Sequence, residues 1–160
     1  MGFRREPRAQ FFGPEEEKRL LDAIRRAEER TSGEIRVHVA PRCKGSPLEA
    51  ARKHFARLGM HATALRNSVL FYVAPRDRKF AILGDEGIHR HVGEAFWERL
   101  KDRISESFAA GKFAPALEEA IAAVGEELAL AFPRQDRDVN ELPDSVSYSE
   151  PEAGEGDGSR

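Results

Sequence analysis

Apolar residues near the start of the chain recur at intervals of three and four, which is the spacing of one helix face. Leu20, Ile24 and Ala27 form this stripe, and it predicts an amphipathic helix. Pro14 suits the first helical position, because the N–H that it lacks has no partner there. Gly33 is a natural end for a helix. The first predicted element is therefore a helix between Pro14 and Gly33.

Three later segments predict strands. Residues 34–40, EIRVHVA, alternate, with Ile35, Val37 and Val39 on one side and Glu34, Arg36 and His38 on the other. Residues 68–74, SVLFYVA, are nearly all apolar, as expected of a central strand covered on both faces. Residues 79–84, KFAILG, follow a turn that is too short for a crossover, so we expect them to pair antiparallel with the central strand.

Helical spacing accounts for the rest of the apolar pattern. A helix is predicted after Ser46, because Ser46 and Pro47 form a typical helix start. Three more helices are expected later: a short one over about residues 86–92, a longer one ending near Phe108, and a last one closed by Pro133. The element order is α-β-α-β-β-α-α-α, with the first two strands parallel through a right-handed crossover. This order predicts an α/β fold, a three-layer α/β/α sandwich around a small mixed sheet.

The composition divides the chain into three parts. Residues 1–10 are predicted to be a basic N-terminal arm, and residues 11–133 form the folded domain. Residues 134–160 contain eight acidic side chains against three arginines and end in a Gly-rich stretch, so we expect an acidic, largely disordered tail. The start of that tail is predicted to be an extended strap pinned by Val139, Leu142 and Val146.

Charge and composition exclude several functional classes. The net charge is −2, and the basic side chains are mixed with acidic ones, which is not the pattern of a nucleic-acid-binding protein. The single cysteine, Cys43, excludes an intramolecular disulfide and a multi-cysteine metal site. We expect no secretion signal, because no apolar stretch follows the N-terminal arginines, and no membrane span, because no apolar run is long enough. We therefore expect a soluble, cytoplasmic protein.

The stretch Gly84-Asp85-Glu86-Gly87, between a strand and a helix, is the best candidate for chemistry. Its two carboxylates are ligands that Ca²⁺ and Mg²⁺ prefer. The predicted strand directions bring Glu34 and Asn67 to the same edge of the sheet, so Asp85, Glu86, Glu34 and Asn67 form a candidate metal site. The alternative is that Asp85 only caps the following helix and that Glu34 and Asn67 are ordinary polar residues beside strands.

The histidines do not form an evident site. His89 and His91 are two positions apart, so on a helix they point about 200° away from each other and make a poor chelate. We expect both on a solvated helix surface. His38, His54 and His61 are scattered along the sequence and indicate no catalytic triad. The segment DRDVNELPD begins like a calcium-binding EF-hand loop, but it lacks the glycine and the glutamate that such a loop needs.

Several segments together resemble the TPM domain family. They are TSGEIRVHV, the helix end LGM, RNSVLFYVAPRDRKFAILGDEGI and ISESFAAGKFAPALEEAI, and the similarity covers about residues 11–132. The resemblance implies an α/β/α sandwich, binding of divalent metals, mainly calcium, and the acid phosphatase activity proposed for some plant members. Where relatives often have Asp-Asn-Gly before the central strand, this chain has Arg66-Asn67-Ser68, so a cation replaces a carboxylate.

Two functional hypotheses follow for the Asp85 edge, beside a purely structural role in an assembly in which the acidic tail contacts a basic partner. The first is a TPM-type module that binds Ca²⁺ or Mg²⁺ at the Asp85 edge and contacts a protein partner. The alternative is a metal-assisted acid phosphatase that acts on phosphomonoesters, with Asp85 or Glu86 holding the ion. No nucleophile paired with a general base is evident in the sequence, so the enzymatic hypothesis rests on the family resemblance alone.

Overall fold

The computed structural model describes residues 12–134 and 145–149. Four helices and four strands follow one another along them: α1 (Pro14–Glu28), β1 (Glu34–Val39), α2 (Pro47–Arg57), β2 (Ser68–Ala74), β3 (Lys79–Gly84), α3 (Glu86–Ala109), α4 (Phe113–Ala131) and β4 (Ser145–Tyr148). The predicted basic arm and most of the predicted acidic tail lie outside the described residues. Within the described part of the chain, no helix is long and apolar enough to cross a membrane.

The helix starts follow from their sequences. Pro14 opens α1 and Pro47 opens α2, as predicted. The side chain of Ser46 accepts a hydrogen bond of 3.2 Å from the N–H of Glu49, which satisfies one of the free amide groups at the start of α2. These local contacts set where each helix begins and therefore how the chain enters and leaves the sheet.

The sheet is mixed, with the strand order β3-β2-β1-β4. β1 and β2 are parallel and β2 and β3 are antiparallel, which confirms the predicted arrangement. β4 pairs in parallel with the free side of β1, and no strand was predicted there. β4 lies inside the segment that was expected to be a largely disordered tail. Of the three residues expected to pin an extended strap, Val146 packs against the core, and Val139 and Leu142 lie outside the described residues.

Helices cover both faces of the sheet, which confirms the predicted three-layer sandwich. On one face, α1, α3 and α4 pack on the apolar row of β1, which contains Ile35, Val37 and Val39. On the other face, Ala51 and Phe55 of α2 pack on Leu70 and Tyr72 of β2 and on Ala81 of β3. The polar residues of β1 lie on this second face, as their alternation predicted.

α3 consists of two helical segments that are joined at a kink. Gly93 has a non-helical conformation with φ 79° and ψ 170°, so the chain bends there. The shorter segment before Gly93 and the longer segment after it are the two helices predicted after β3, which confirms both. The left-handed φ at this bend favours glycine, because it has no Cβ.

Candidate functional site

The starts of β1 and β2 and the end of β3 meet at one edge of the sheet. Glu34 is the register partner of Ser68, and the N–H of Asp85 donates a 2.9 Å hydrogen bond to the carbonyl of Ser68. Asn67 stands immediately before β2. We call the group Glu34, Arg66, Asn67, Ser68 and Asp85 the Asp85 edge. The strands thus place Glu34, Asn67 and Asp85 at one end of the sheet, where their predicted directions put them.

Asp85 is a buried helix cap that is neutralised by an arginine. Its Oδ1 accepts a 2.8 Å hydrogen bond from the N–H of Glu86 at the start of α3. Nε of Arg66 donates to Oδ2 at 2.8 Å and a terminal nitrogen of Arg66 donates to Oδ1 at 2.9 Å, which is a bidentate ion pair. Only 5% of Asp85 is exposed to solvent. The predicted capping role of Asp85 is therefore present, and both of its oxygens are in use.

Two opposing effects, burial and hydrogen bonding, act on the pKa of Asp85. Burial raises the pKa, but the hydrogen bonds from Arg66 and from the amide of Glu86 lower it more, so the pKa lies below its ordinary value. The hydrogen bond to Asp85 raises the pKa of Arg66 in turn. His61 lies 3.5 Å from Oδ1 of Asp85 and adds to the positive surroundings of the carboxylate when it is protonated. Asp85 is therefore an anion throughout the neutral range.

A glycine fixes the backbone that carries Arg66. The N–H of Gly87 donates a 2.8 Å hydrogen bond to the carbonyl of Arg66. A Cβ on Gly87 would lie 2.3 Å from the carbonyl oxygen of Leu65 and 2.7 Å from that of Arg66, so only glycine allows this approach. Arg66 itself has a left-handed φ of 53°, which is uncommon for a residue with a side chain. The loop is thus held firmly, whereas the side chain of Arg66 is 41% exposed.

The other predicted ligands are arranged differently. Glu86 points outward, with its side chain 61% exposed, and pairs with Arg90 at 3.2 Å. Glu34 is buried, and so is Asn67, whose Nδ2 donates to the hydroxyl of Ser32 at 3.3 Å. Among the described residues, Oδ1 of Asn67 and the hydroxyl oxygen of Ser68 are buried without a hydrogen-bond partner.

No metal centre is preformed in residues 12–134 and 145–149, because these residues contain no group of three His, Cys, Asp or Glu side chains that would hold an ion. His89 and His91 are both exposed on α3, as predicted. His89 accepts a hydrogen bond of 3.0 Å from Nε1 of Trp97, and His91 lies 3.4 Å from Glu127. The two histidines have different partners and do not form a common site.

Sequence reasoning missed a second polar cluster at the opposite end of β1. His38 and His54 were treated as unrelated, but their rings stack with centroids 4.1 Å apart, and Tyr72 stacks on His54 at 5.5 Å. The ring nitrogens of His38 lie 2.7 Å from the hydroxyl of Ser147 and 2.8 Å from that of Ser149. The only signal in the sequence was that His38 falls on the polar side of β1.

Comparisons with known proteins decide the family. The family model described as the TPM domain matches residues 7–127, which is most of the chain. The chain belongs to the TPM domain family. Its structure is also similar to the NMR structure of the BA42 protein from the psychrophilic bacterium Bizionia argentinensis. The two sequences are 41% identical, the TM-score is 0.79, and the match covers 86% of this chain and 95% of BA42.

A more distant relative shows the fold alone. The N-terminal domain of the cg2496 protein from Corynebacterium glutamicum is 12% identical, with a TM-score of 0.55. The match covers 89% of this chain and 84% of that domain. Among curated proteins, none matches the chain. The family is therefore assigned from the TPM domain model, and the similarity to BA42 supports the fold.

The divalent cation implied by the TPM family can be tested against the residues of the Asp85 edge. The donor types fit a hard cation, because Asp85 supplies carboxylate oxygens and Asn67 and Ser68 supply buried oxygens without hydrogen bonds. The guanidinium of Arg66, however, is bonded to both oxygens of Asp85. A cation bound to both oxygens of Asp85 would have to replace Arg66.

Proposed function

We propose that this TPM domain is a binding module whose Asp85 edge takes a divalent cation, Ca²⁺ or Mg²⁺, in exchange for the side chain of Arg66. The observation that carries the proposal is the asymmetry of the ion pair. Asp85 is buried with 3% of its side chain exposed, whereas its partner Arg66 is 41% exposed and reaches the carboxylate from a surface loop. Arg66 can therefore leave without unfolding the edge, and Asp85 then needs another cation.

The same geometry sets the strength of binding. The ion would be held by one carboxylate and by neutral oxygens, and it would have to break two charge-assisted hydrogen bonds first. Sites with few charged ligands bind calcium with dissociation constants of roughly 10⁻⁴–10⁻³ M. We therefore expect weak binding in which the cation keeps several water molecules.

Catalysis is not part of the proposal. The alternative phosphatase hypothesis needs Asp85 or Glu86 to hold a metal ion beside a substrate. Asp85 is bonded to Arg66, and Glu86 is exposed and paired with Arg90. No described contact at this edge favours phosphate-ester hydrolysis over simple cation binding. A protein partner also stays a prediction.

A titration with CaCl₂ and with MgCl₂, followed by backbone amide shifts, tests the exchange. In the wild type we expect the amides of residues 84–87 to shift only at millimolar cation. Arg66→Gly keeps the left-handed backbone and removes the competing guanidinium, so we expect binding to become about tenfold tighter. Asp85→Asn should abolish the shifts in both backgrounds.

The matched control is Arg90→Ala, which removes a nearby positive charge that pairs with Glu86 instead. If the gain in affinity is the same in Arg90→Ala and in Arg66→Gly, the effect is only a change in net charge. If the amides of residues 84–87 stay still in Arg66→Gly at millimolar cation, the exchange proposal is wrong.

A further inference from the structure

A cavity of about 330 Å³ opens at the end of the sheet opposite to the Asp85 edge, where β1 and β2 end. We call it the basic pocket, after its principal lining residues: Arg42, Lys44, Lys53, His54, Arg57 and Tyr72. Its walls are the loop between β1 and α2 and one side of α2. In α/β sheets, the crevice outside the carboxyl ends of parallel strands is a frequent place for ligands.

The charge of the basic pocket is strongly one-sided. Four cationic side chains line it against one carboxylate, Glu49, and Glu49 is paired with Arg52 at 3.0 Å. Among the described residues, Lys53 and Arg57 have no carboxylate within salt-bridge distance. The whole chain has a net charge of −2, so this concentration of positive charge is local.

The loop that forms one wall is fixed by residues of the β2–β3 hairpin. One oxygen of Asp77 accepts a 2.7 Å hydrogen bond from the N–H of Cys43, and the other accepts a 2.9 Å bond from Arg42. Nζ of Lys79 donates to the carbonyls of Cys43 and Gly45, both at 2.9 Å. The wall is therefore held in place before any ligand arrives, which lowers the cost of ordering it on binding.

Two of the residues that line the basic pocket, His54 and Tyr72, carry rings. His54 stacks on His38, and both lie against Tyr72, which is buried. Burial lowers the pKa of His54, and the charges of Arg57 and Lys53 lower it further. The charges of Arg57 and Lys53 thus act on the ring of His54, whereas Arg42 is paired with Asp77 at 2.9 Å.

We propose that the basic pocket binds the phosphate group of a small phosphorylated molecule, with Arg57, Lys53 and Lys44 as the principal contacts. Guanidinium and ammonium groups that converge on one cavity bind phosphate through short, charge-assisted hydrogen bonds. The volume is larger than a phosphate ion and lies at the small end of the range for ligand pockets, so it leaves room for a modest organic group.

This inference does not depend on the cation proposal. β1 runs from Glu34 at the Asp85 edge to Val39 beside the basic pocket, so the two sites are separated by the length of a strand, roughly 20 Å. A phosphate bound here would not contact Asp85. Either site can therefore fail its test while the other passes.

The test is a titration of the full chain with sodium phosphate and with glycerol phosphate, at an ionic strength kept constant with sodium chloride. We expect saturable amide shifts at residues 42–46 and 53–57, and no comparable shifts with chloride alone or with glycerol. The double variant Lys53→Gln/Arg57→Gln should bind at least about tenfold more weakly, because two charge-assisted contacts are lost. Both side chains are exposed, so the variant should fold normally.

The matched control is Arg99→Gln/Arg103→Gln, which removes the same charge from the exposed surface of α3. Equal weakening in the two double variants would show that only net charge matters and would overturn the proposal. Shifts that chloride reproduces would overturn it as well. Binding of a phosphoserine peptide without binding of either small phosphate would identify a protein partner in place of the small ligand.

Discussion

The charged side chains at the two ends of β1 differ in burial and in pairing. At the Asp85 edge, a buried carboxylate has a bidentate arginine partner, and the loop behind it packs tightly on α3. At the basic pocket, exposed cations surround a cavity, and the contacts fix only the wall of that cavity. The Asp85 carboxylate can accept a new cation only in exchange for Arg66, whereas Lys53 and Arg57 of the basic pocket have no described carboxylate to release before they bind an anion. The two ends therefore differ in cost: binding at the Asp85 edge must break an ion pair, whereas binding at the basic pocket need not.

The largest effect should come from a substitution at Gly87, where the start of α3 lies close against the backbone of the loop before β2. Gly87→Ala places a Cβ against the carbonyl oxygens of Leu65 and Arg66, both of which belong to the backbone and cannot turn away. We expect the free energy of unfolding to fall by about 3 kcal/mol. Chemical denaturation measures this loss.

Gly45→Ala is the control from the other end of the sheet. A Cβ at Gly45 meets nothing within 4 Å, although the residue belongs to the wall of the basic pocket. Its stability should therefore stay close to that of the wild type. A loss for Gly45→Ala as large as that for Gly87→Ala would mean that the Asp85 edge is not the more tightly packed end.

The second-largest effect is a dependence of stability on pH. It comes from His38, at the end of β1 beside the basic pocket. Burial and the neighbouring His54 lower the pKa of His38 to about 3, well below its value near 6.5 in an unfolded chain. Below pH 6.5 the unfolded state therefore binds a proton that the folded state does not, and stability falls by up to about 1.4 kcal/mol per pH unit. We expect a loss of about 2 kcal/mol between pH 6 and 4.5 from this histidine.

The variant His38→Gln keeps groups that can bond to Ser147 and Ser149 and removes the proton-binding site. Urea denaturation at several pH values should show a flatter profile for this variant above pH 4.5. The contribution of Asp85 lies elsewhere: its lowered pKa stabilises the fold above about pH 4 and is lost as the pH falls further. If the free energy of unfolding of His38→Gln falls as steeply between pH 6 and 4.5 as that of the wild type, His38 is not the source of this pH dependence.

The smallest predicted effect separates the two adjacent carboxylates at the start of α3. Asp85→Asn retains a capping side chain but loses the charge that pairs with Arg66, so we expect a cost of about 1 kcal/mol, reduced because Arg66 is partly exposed. Glu86→Gln should change stability by less than about 0.3 kcal/mol, since its pair with Arg90 is largely exposed. Thermal unfolding of both variants at pH 7 measures the difference. Equal losses would show that the bidentate pair is no stronger than a surface ion pair.

The sequence predicted the central part of the fold because its signals are local. The alternation in β1, the apolar run of β2 and the prolines at the starts of α1 and α2 are all visible within a few residues. β4 has only four residues within a polar, acidic segment. Its alternation of serines with Val146 and Tyr148 is too short to predict a strand without knowledge of the partner strand.

The candidate sites were predicted only in part, since their decisive contacts join distant residues. Strand direction was enough to bring Glu34, Asn67 and Asp85 to one edge. The pairing of Arg66 with Asp85 depends on a left-handed loop conformation that no residue type in the loop specifies. The stack of His38 on His54 depends on how α2 lies over the sheet, which periodicity does not determine.

The pairing of β4 with β1 also has a consequence for the order of events during protein synthesis. His38 and Ser147 are 109 positions apart, so their contact forms only after nearly the whole described chain has left the ribosome. Until then β1 has one strand neighbour, and its other side is a free edge that can pair with other chains. Of the described strands, the last to be made thus protects the first, and a chain that stalls before Ser145 would expose β1 to aggregation.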